Sequence, residues 1–259
     1  MPLILPEQQG ELGFVTLNHP EKRNALSEPL VAEFVTTLAS LRAGGVRVLV
    51  VRSQPGEKVW SAGHDVNELP KSQRDPLGWD DPLRQLVRGI QTFPAPVIAM
   101  IEGTVWGGAC ELALACDLIV ATPATTFALT PAKLGVPYNV SGMVNFLNAA
   151  NLHVMKEMAF TAQPMSSARA ERLGMVNHVV PAAELQTFTL DLARQIARNA
   201  PLSVAVMKEQ LRILSSARPM SPEGFERVQG LRRVVYDSED YQEGIRAFKE
   251  KRKPDFKGR

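Results

Sequence analysis

The chain has 259 residues, 45% of them hydrophobic and 22% charged, and a formal net charge of +2. That length allows one large α/β domain or two smaller units, and so small a charge gives little electrostatic drive towards nucleic acid. Two cysteines make no disulfide framework, four scattered histidines show no zinc spacing, and no apolar run approaches the ~20 residues of a membrane span.

The first residues, MPLILPEQQG, have neither the basic start nor the long apolar region of a secretory signal, so a reducing cytoplasm is the expected location. Leu12–Asn18 alternates as a strand should and meets the turn HPEKRNALS. In EPLVAEFVTTLASL, Leu30, Val31, Phe34, Leu38 and Leu41 recur at helical spacing. A buried strand is predicted over Val46 to Val51, followed by the glycine-bearing loop SQPGEKVWSAGHD. DDPLRQLVRGIQTF predicts an amphipathic helix capped by Asp80 or Asp81. APVIAMIEG reads as another buried strand, GGACELALACD as a helix entered through two glycines, and DLIVAT as a further strand. This alternation predicts a layered α/β core with parallel pairs and right-handed crossovers over residues 1–180. Residues 181–259 read mostly as helices. Cys110 and Cys116 lie in an apolar run and read as buried free thiols.

Gly107 and Gly108 each give up about 1 kcal/mol of helix propensity relative to alanine. The first amides of a helix lack intrahelical acceptors and carry the positive end of its dipole. Bare backbone there lets a ligand oxygen approach those amides closely. Close helix–strand packing explains the pair as well. A second small-residue stretch, SAGHDVNEL (61–69), also follows a strand, and two such turns could aim two amides at one oxygen.

HPEKRNALS, SAGHDVNEL, IEGTVWGGACELALACDLIVAT, FALTPAKLGVP and SEDYQEGIRAFKEKRKPDF, in this order, resemble the crotonase (enoyl-CoA hydratase/isomerase) superfamily over nearly the whole chain. The resemblance implies a spiral of ββα units, a helical C-terminal region that forms a homotrimer or a dimer of trimers, and an acyl-CoA thioester substrate. It also implies an oxyanion hole formed by the backbone N–H groups of His64 and Gly108. It implies no cofactor beyond the substrate's own CoA, and neither a membrane nor a nucleic-acid partner is expected.

Hydratases of the family use two glutamates. The first is present as Glu111; the place of the second holds Pro131, preceded by Thr130. Proline cannot act as acid or base. Decarboxylation of a malonyl-type thioester needs an enolate but no strong base, because loss of CO₂ supplies the electrons. A carboxylate at position 131 would repel the departing group. SAGHD, DDPLRQ, VWGGA, TPAKLGVPYN and YDSEDYQEG resemble most the family members that decarboxylate methylmalonyl-CoA. Tyr138 is then expected to hydrogen-bond the substrate carboxylate and hold its C–C bond across the thioester plane, with Thr130 assisting. Glu111 either relays the quenching proton or is a favourable charge at its helix N-terminus. Enoyl-CoA hydration or isomerisation through Glu111, and acyl-CoA binding without catalysis, are the competing readings.

The His64 imidazole is expected to be an ordinary polar group at the surface, and Trp106 to pack beside the hole rather than shape the acyl pocket. The resemblance places Lys22, Arg23, Ala25, Ala62 and His64 along the nucleotide and pantetheine, and Asp65, Val66 and Leu69 beside the adenine. Gly107 and Gly108 complete the thioester end. In the basic tail, Phe248 and Lys251 are expected to reach a neighbouring subunit's nucleotide.

Overall fold

A computed structural model describes residues 1–69 and 78–259. Ten strands and ten helices form among the described residues. The strands are β1 (Ile4–Gln9), β2 (Leu12–Leu17), β3 (Val48–Ser53), β4 (Val59–Ser61), β5 (Val97–Ile101), β6 (Thr104–Trp106), β7 (Leu118–Ala121), β8 (Thr126–Ala128), β9 (Met165–Ser166) and β10 (His178–Val179). The helices α1 (Glu28–Ala43), α2 (Pro82–Gln91), α3 (Gly108–Ala115), α4 (Val140–Ala149) and α5 (Leu152–Thr161) precede α6 (Ser167–Arg172), α7 (Ala182–Ala197), α8 (Pro201–Ser216), α9 (Pro222–Tyr236) and α10 (Glu239–Lys249).

Two sheets share the strands, in the orders β1-β2-β3-β5-β7-β10 and β4-β6-β8-β9. Each of β3, β5 and β7 lies in the larger sheet and runs on into a short strand of the smaller one, β4, β6 or β8. The pairs β3–β5, β5–β7, β4–β6 and β6–β8 are all parallel, so the chain advances as a spiral of ββα turns, as the resemblance implied. The sequence reading ran directly from the strand ending at Gly103 into the glycine helix; β6 intervenes. Gly103 makes that corner with φ 86°, where a Cβ would stand 2.6 Å from the Glu57 carbonyl oxygen. The third strand begins at Val48 rather than Val46, because Val46 still belongs to the turn after α1, its amide bonded to the Leu41 carbonyl.

The strands read as unbroken apolar runs because both sheet faces are covered. Side chains alternate across β3: Leu49 and Val51 join the core shared with α1, α2 and α3, while Val48 and Val50 pack under Leu185, Ala193 and Ala197 of α7. Burying each such side chain contributes roughly 1.5–3 kcal/mol. The C-terminal segment is helical from α7 onward, and its first helix is built into the sheet's outer face. Residues 140–161, to which the sequence reading gives no element, form α4 and α5. Their sequences are modest helix formers, and the ends are fixed by Asn139, which accepts from Gly142 N at 2.7 Å, and by Asn151.

α10 docks on the turn Pro131–Leu134. A Cβ on Gly244 would meet the Leu134 carbonyl at 2.4 Å, and one on Gly135 (φ 66°) would stand 2.9 Å from Asp240 O. Glycine at both places permits this approach. α8 has no buried residue; Lys208 ties it down through Asp117 at 2.7 Å and the carbonyls of Ala95 and Ile90. No helix among the described residues is long and apolar enough to cross a membrane.

Candidate active site

Because β4 and β6 are neighbours and parallel, the turns that follow them leave the sheet side by side. Gly63 (φ 84°) and Gly108 bring those turns into contact. A Cβ on Gly63 would lie 2.4 Å from Trp106 O and 2.7 Å from Gly108 N; one on Gly108 would lie 3.3 Å from His64 N. Among the described residues neither the His64 nor the Gly108 amide donates to a protein acceptor. Gly107 (φ 55°) caps α3, so the Gly108 amide also stands at a helix N-terminus.

The turn Pro20–Lys22 and the residues after it are stitched to the same place. Ala62 N donates to Arg23 O at 2.9 Å, Leu26 N to Gly63 O at 2.8 Å, Ser61 Oγ to Asn24 O at 2.7 Å, and Asn24 Nδ2 to Trp60 O at 3.0 Å. Arg23 and Asn24 both hold positive φ, 53° and 50°, a conformation that costs a non-glycine residue roughly 1–2 kcal/mol and is repaid by these bonds.

One cleft results. It is lined by Lys22, Arg23, Ala25, Ala62, His64, Asp65, Val66 and Leu69, and by Gly107, Gly108, Thr130, Pro131, Tyr138 and Phe248. Phe248, expected at a neighbouring subunit's nucleotide, lines its own chain's cleft, since α10 packs against the turn bearing Pro131. Lys251 is exposed, with φ 55°, outside the lining residues. Leu83, Leu134 and Val136 also line the cleft. Sequence reasoning missed them because an apolar residue in a helix or turn carries no mark of facing a ligand.

Glu111 is not among the lining residues. It is fully buried, with Oε1 bound by the Arg84 guanidinium and by Asn145 Nδ2 at 2.9 Å. Burial pushes its carboxyl up and prevails over the charge of Arg84, the bonds from Asn145 and Arg84 and the facing Tyr138 hydroxyl, which pull against it. Arg84 and Asn145 went unnoticed in the sequence because both sit inside ordinary amphipathic helices.

The Tyr138 ring stands edge-on to Phe146, centroids 4.9 Å apart, and rests on the first turn of α4, where a Cβ on Gly142 would strike its Cδ1 at 2.5 Å. Its hydroxyl is buried and faces the Glu111 carboxylate, though not at ordinary hydrogen-bond geometry. Burial, and then the charge of Glu111, hold it well above the usual phenol range, so it remains a neutral donor.

The His64 imidazole is not the surface group the sequence suggested. Its side chain is 12% exposed, with Nε2 2.8 Å from Asp81 Oδ2 and Nδ1 3.1 Å from Asp65 O. Of the two candidate caps, Asp81 is the one used; its Oδ1 accepts from Leu83 N at 2.9 Å. Burial would lower the imidazole pKa, but the hydrogen bond and charge of Asp81, the Asp65 carbonyl and the charge of Glu68 outweigh it and the net shift is upward. Cys110 is buried and pushed up to about 12 by desolvation, the inert thiol expected of it.

A family model described as enoyl-CoA hydratase/isomerase matches residues 7–259. Methylmalonyl-CoA decarboxylase of Escherichia coli (strain K12) is 50% identical over 248 residues, covering 96% of this chain and 95% of that protein. The solved structure of methylmalonyl-CoA decarboxylase in complex with 2-nitronate-propionyl-CoA superposes with a TM-score of 0.98 at 48% identity, covering 99% of each chain. Another, of methylmalonyl-CoA decarboxylase complexed with 2S-carboxypropyl-CoA, also gives 0.98, at 47% identity over 100% of this chain and 99% of that one.

Proposed function

Since the chain belongs to the enoyl-CoA hydratase/isomerase family, we propose that it decarboxylates methylmalonyl-CoA to propionyl-CoA, or a close malonyl-CoA relative to the corresponding acyl-CoA. The observation that carries the reading is the make-up of the cleft. The amides of His64 and Gly108, bonded to no protein acceptor among the described residues, lie close together in a cleft also lined by the uncharged Thr130, Pro131 and Tyr138, while Glu111 is held in an ion pair outside the lining residues.

The thioester carbonyl oxygen accepts from the His64 and Gly108 N–H groups. Tyr138 donates its hydroxyl hydrogen to the substrate carboxylate and sets the Cα–carboxylate bond across the thioester plane, with Thr130 beside it. The bond breaks, CO₂ leaves, and its electron pair enters the carbonyl π-system, so the oxygen becomes an oxyanion. A preorganised donor at such an oxygen contributes about 3–4 kcal/mol. A proton delivered to Cα then completes propionyl-CoA. The electrons come from the broken bond, so the reaction calls for no cofactor beyond the CoA of the substrate. Glu111, engaged by Arg84 and Asn145, supports the turn rather than serving as base. Lys22 and Arg23 suit the phosphates of the nucleotide, and Asp65, Val66, Leu69 and Phe248 its adenine end.

Leu202, Leu211 and Leu214 of α8 and Leu231 and Val234 of α9 are all exposed. Exposed apolar side chains on two helices suit a subunit interface, and assembly as a homotrimer or a dimer of trimers would cover them. The two free buried cysteines suit a reducing compartment such as the cytoplasm.

The deciding experiment is incubation with methylmalonyl-, malonyl- and crotonyl-CoA, with products read by mass. Loss of 44 mass units (about one CO₂) from the malonyl-type esters supports the reading. Gain of water by crotonyl-CoA, with methylmalonyl-CoA inert, overturns it in favour of hydration. Tight binding of all three esters with no product makes the protein an acyl-CoA binder.

A further inference from the structure

The two ring nitrogens of His64 face two groups that can only accept: the Asp81 carboxylate at 2.8 Å and the Asp65 carbonyl at 3.1 Å. The tautomers of neutral imidazole carry one N–H; only imidazolium satisfies both partners. Asp81 in turn does two things at once. One oxygen holds the ring, while the other accepts from Leu83 N at 2.9 Å and Arg84 N at 3.4 Å at the start of α2. The same helical turn reaches the second amide: Leu83 presses on Gly108, where a Cβ would lie 2.7 Å from Leu83 Cδ2, and Arg84 grips Glu111 in α3. The α2 N-terminus thus touches both turns whose amides meet in the cleft.

We infer that the His64 side chain, as an imidazolium latched to Asp81, is a positioning residue that keeps its own peptide N–H aimed at the oxygen shared with Gly108, and that losing its proton slows turnover. The inference rests on the decarboxylation reading above. The charged groups that bear on the ring are Asp81, the cap of α2, and Glu68 of the turn Val66–Glu68, while Asp65 acts through its backbone carbonyl; Lys22 and Arg23 line the same cleft. The acids prevail over burial and hold the ring above its ordinary value of 6.5. Below that raised value the latch is closed. Above it one ring nitrogen loses its proton, one of the two bonds is lost, and the loop carrying the amide is released from one side.

The test is kcat and KM for methylmalonyl-CoA between about pH 5.5 and 9.5 for wild type, His64→Gln and Asp81→Asn, with ¹⁵N NMR of the His64 ring. The wild type should lose kcat along a basic limb, with both ring nitrogens protonated on its acid side. His64→Gln, which can donate to Asp81 but not titrate, should be flat in pH and lower in kcat by about tenfold, the size of one charge-assisted bond, with KM little changed. Asp81→Asn should move both the limb and the ring titration to lower pH. A His64→Gln enzyme with wild-type kcat and an unaltered limb overturns the inference. So does a ring carrying a single proton throughout the range in a folded wild type. Equal loss in KM and kcat, independent of pH, would make the histidine merely structural and also overturn it. Wild type that releases no CO₂ at any pH removes the decarboxylation reading instead, while the ring titration still decides the latch.

Discussion

The Arg84 guanidinium holds the Glu111 carboxylate in the seam between α2 and α3, both side chains buried. A buried pair is weak evidence of net stabilisation, yet removing one partner is severe, because the other is left charged and dry. Arg84→Ala should therefore cost about 3–5 kcal/mol of folding stability, read from urea unfolding. Glu111→Gln should cost less, because the amide oxygen can still accept from Asn145 and Arg84, and it should retain most decarboxylase turnover. A Glu111→Gln enzyme that is stable but inactive would return this residue to the chemistry.

Gly63 and Gly108 stand together but should fail differently. A methyl on Gly63 meets the backbone, Trp106 O at 2.4 Å and Gly108 N at 2.7 Å, at φ 84°. Gly63→Ala should destabilise the fold by at least the roughly 1–2 kcal/mol of the left-handed conformation alone. A methyl on Gly108 meets the end of Leu83, which can move, but intrudes 3.3 Å from His64 N. Gly108→Ala should melt near the wild-type temperature and lose about 10²-fold in kcat, as for loss of one oxyanion donor. Thermal melting beside turnover separates the two.

The glycine turns of the cleft have short signatures in the sequence, glycines after strands, whereas the turn with Lys22, Arg23 and Ala25 joins them only through the family resemblance. What was not legible depends on packing between elements far apart in the chain. Nothing in DDPLRQ says that Asp81 reaches His64, 17 positions back, or that Arg84 reaches Glu111, 27 positions on. β6 was hidden because three residues are too few to display a period, and β4 and β8 are equally short. α4 escaped because Val, Gly and Asn dilute its helix propensity; Asn139 and the burial of Phe146 make the helix. The helices after residue 181, long and amphipathic, needed no such help.

Tyr138→Phe separates catalysis from support cleanly. The hydroxyl it removes is buried and faces the Glu111 carboxylate without an ordinary hydrogen bond, so its loss should change stability little. If that hydroxyl orients the substrate carboxylate, kcat should fall by about 10- to 100-fold, the worth of one hydrogen bond to a charged group, with a smaller change in KM. Steady-state kinetics with methylmalonyl-CoA reads both. Unchanged turnover would remove Tyr138 from the mechanism.

Pro131 lines the cleft beside Thr130, where a hydratase of this family carries its second glutamate. Pro131→Glu should place a carboxylate near the departing one. Two like charges roughly 8 Å apart near a protein surface repel by about 2 kcal/mol. The variant should thus bind methylmalonyl-CoA about 30-fold less tightly while holding propionyl-CoA, which lacks that charge, nearly as well. Calorimetric titration of both esters gives the ratio, and equal losses for both would mean that the turn has simply been deformed.

At the far end of the cleft Arg252 and Asp255 hang on Glu243, while Lys257, Gly258 and Arg259 beyond them are held by Asp240 and Glu239. The Glu243 carboxylate accepts from Arg252 at 2.5 and 2.9 Å, from Asp255 N at 3.0 Å and from Arg246 at 2.5 Å. The Arg252 bond, then those from Asp255 and Arg246, hold it far below the ordinary carboxylate value of 4.5. A depressed folded pKa contributes stability that is complete above 4.5 and lost only as pH falls through the lower, folded value. Glu243→Gln should therefore loosen residues 250–255 at neutral pH, and the difference from wild type should vanish in strong acid. Amide exchange of that segment against pH measures it directly. Because Phe248 lines the cleft five residues beyond Glu243, the same variant should raise KM for the CoA ester more than it lowers kcat. Exchange that matches wild type at pH 7 would mean that the Asp240 bonds and the docking of Gly244 on Leu134 hold this end of the cleft without Glu243.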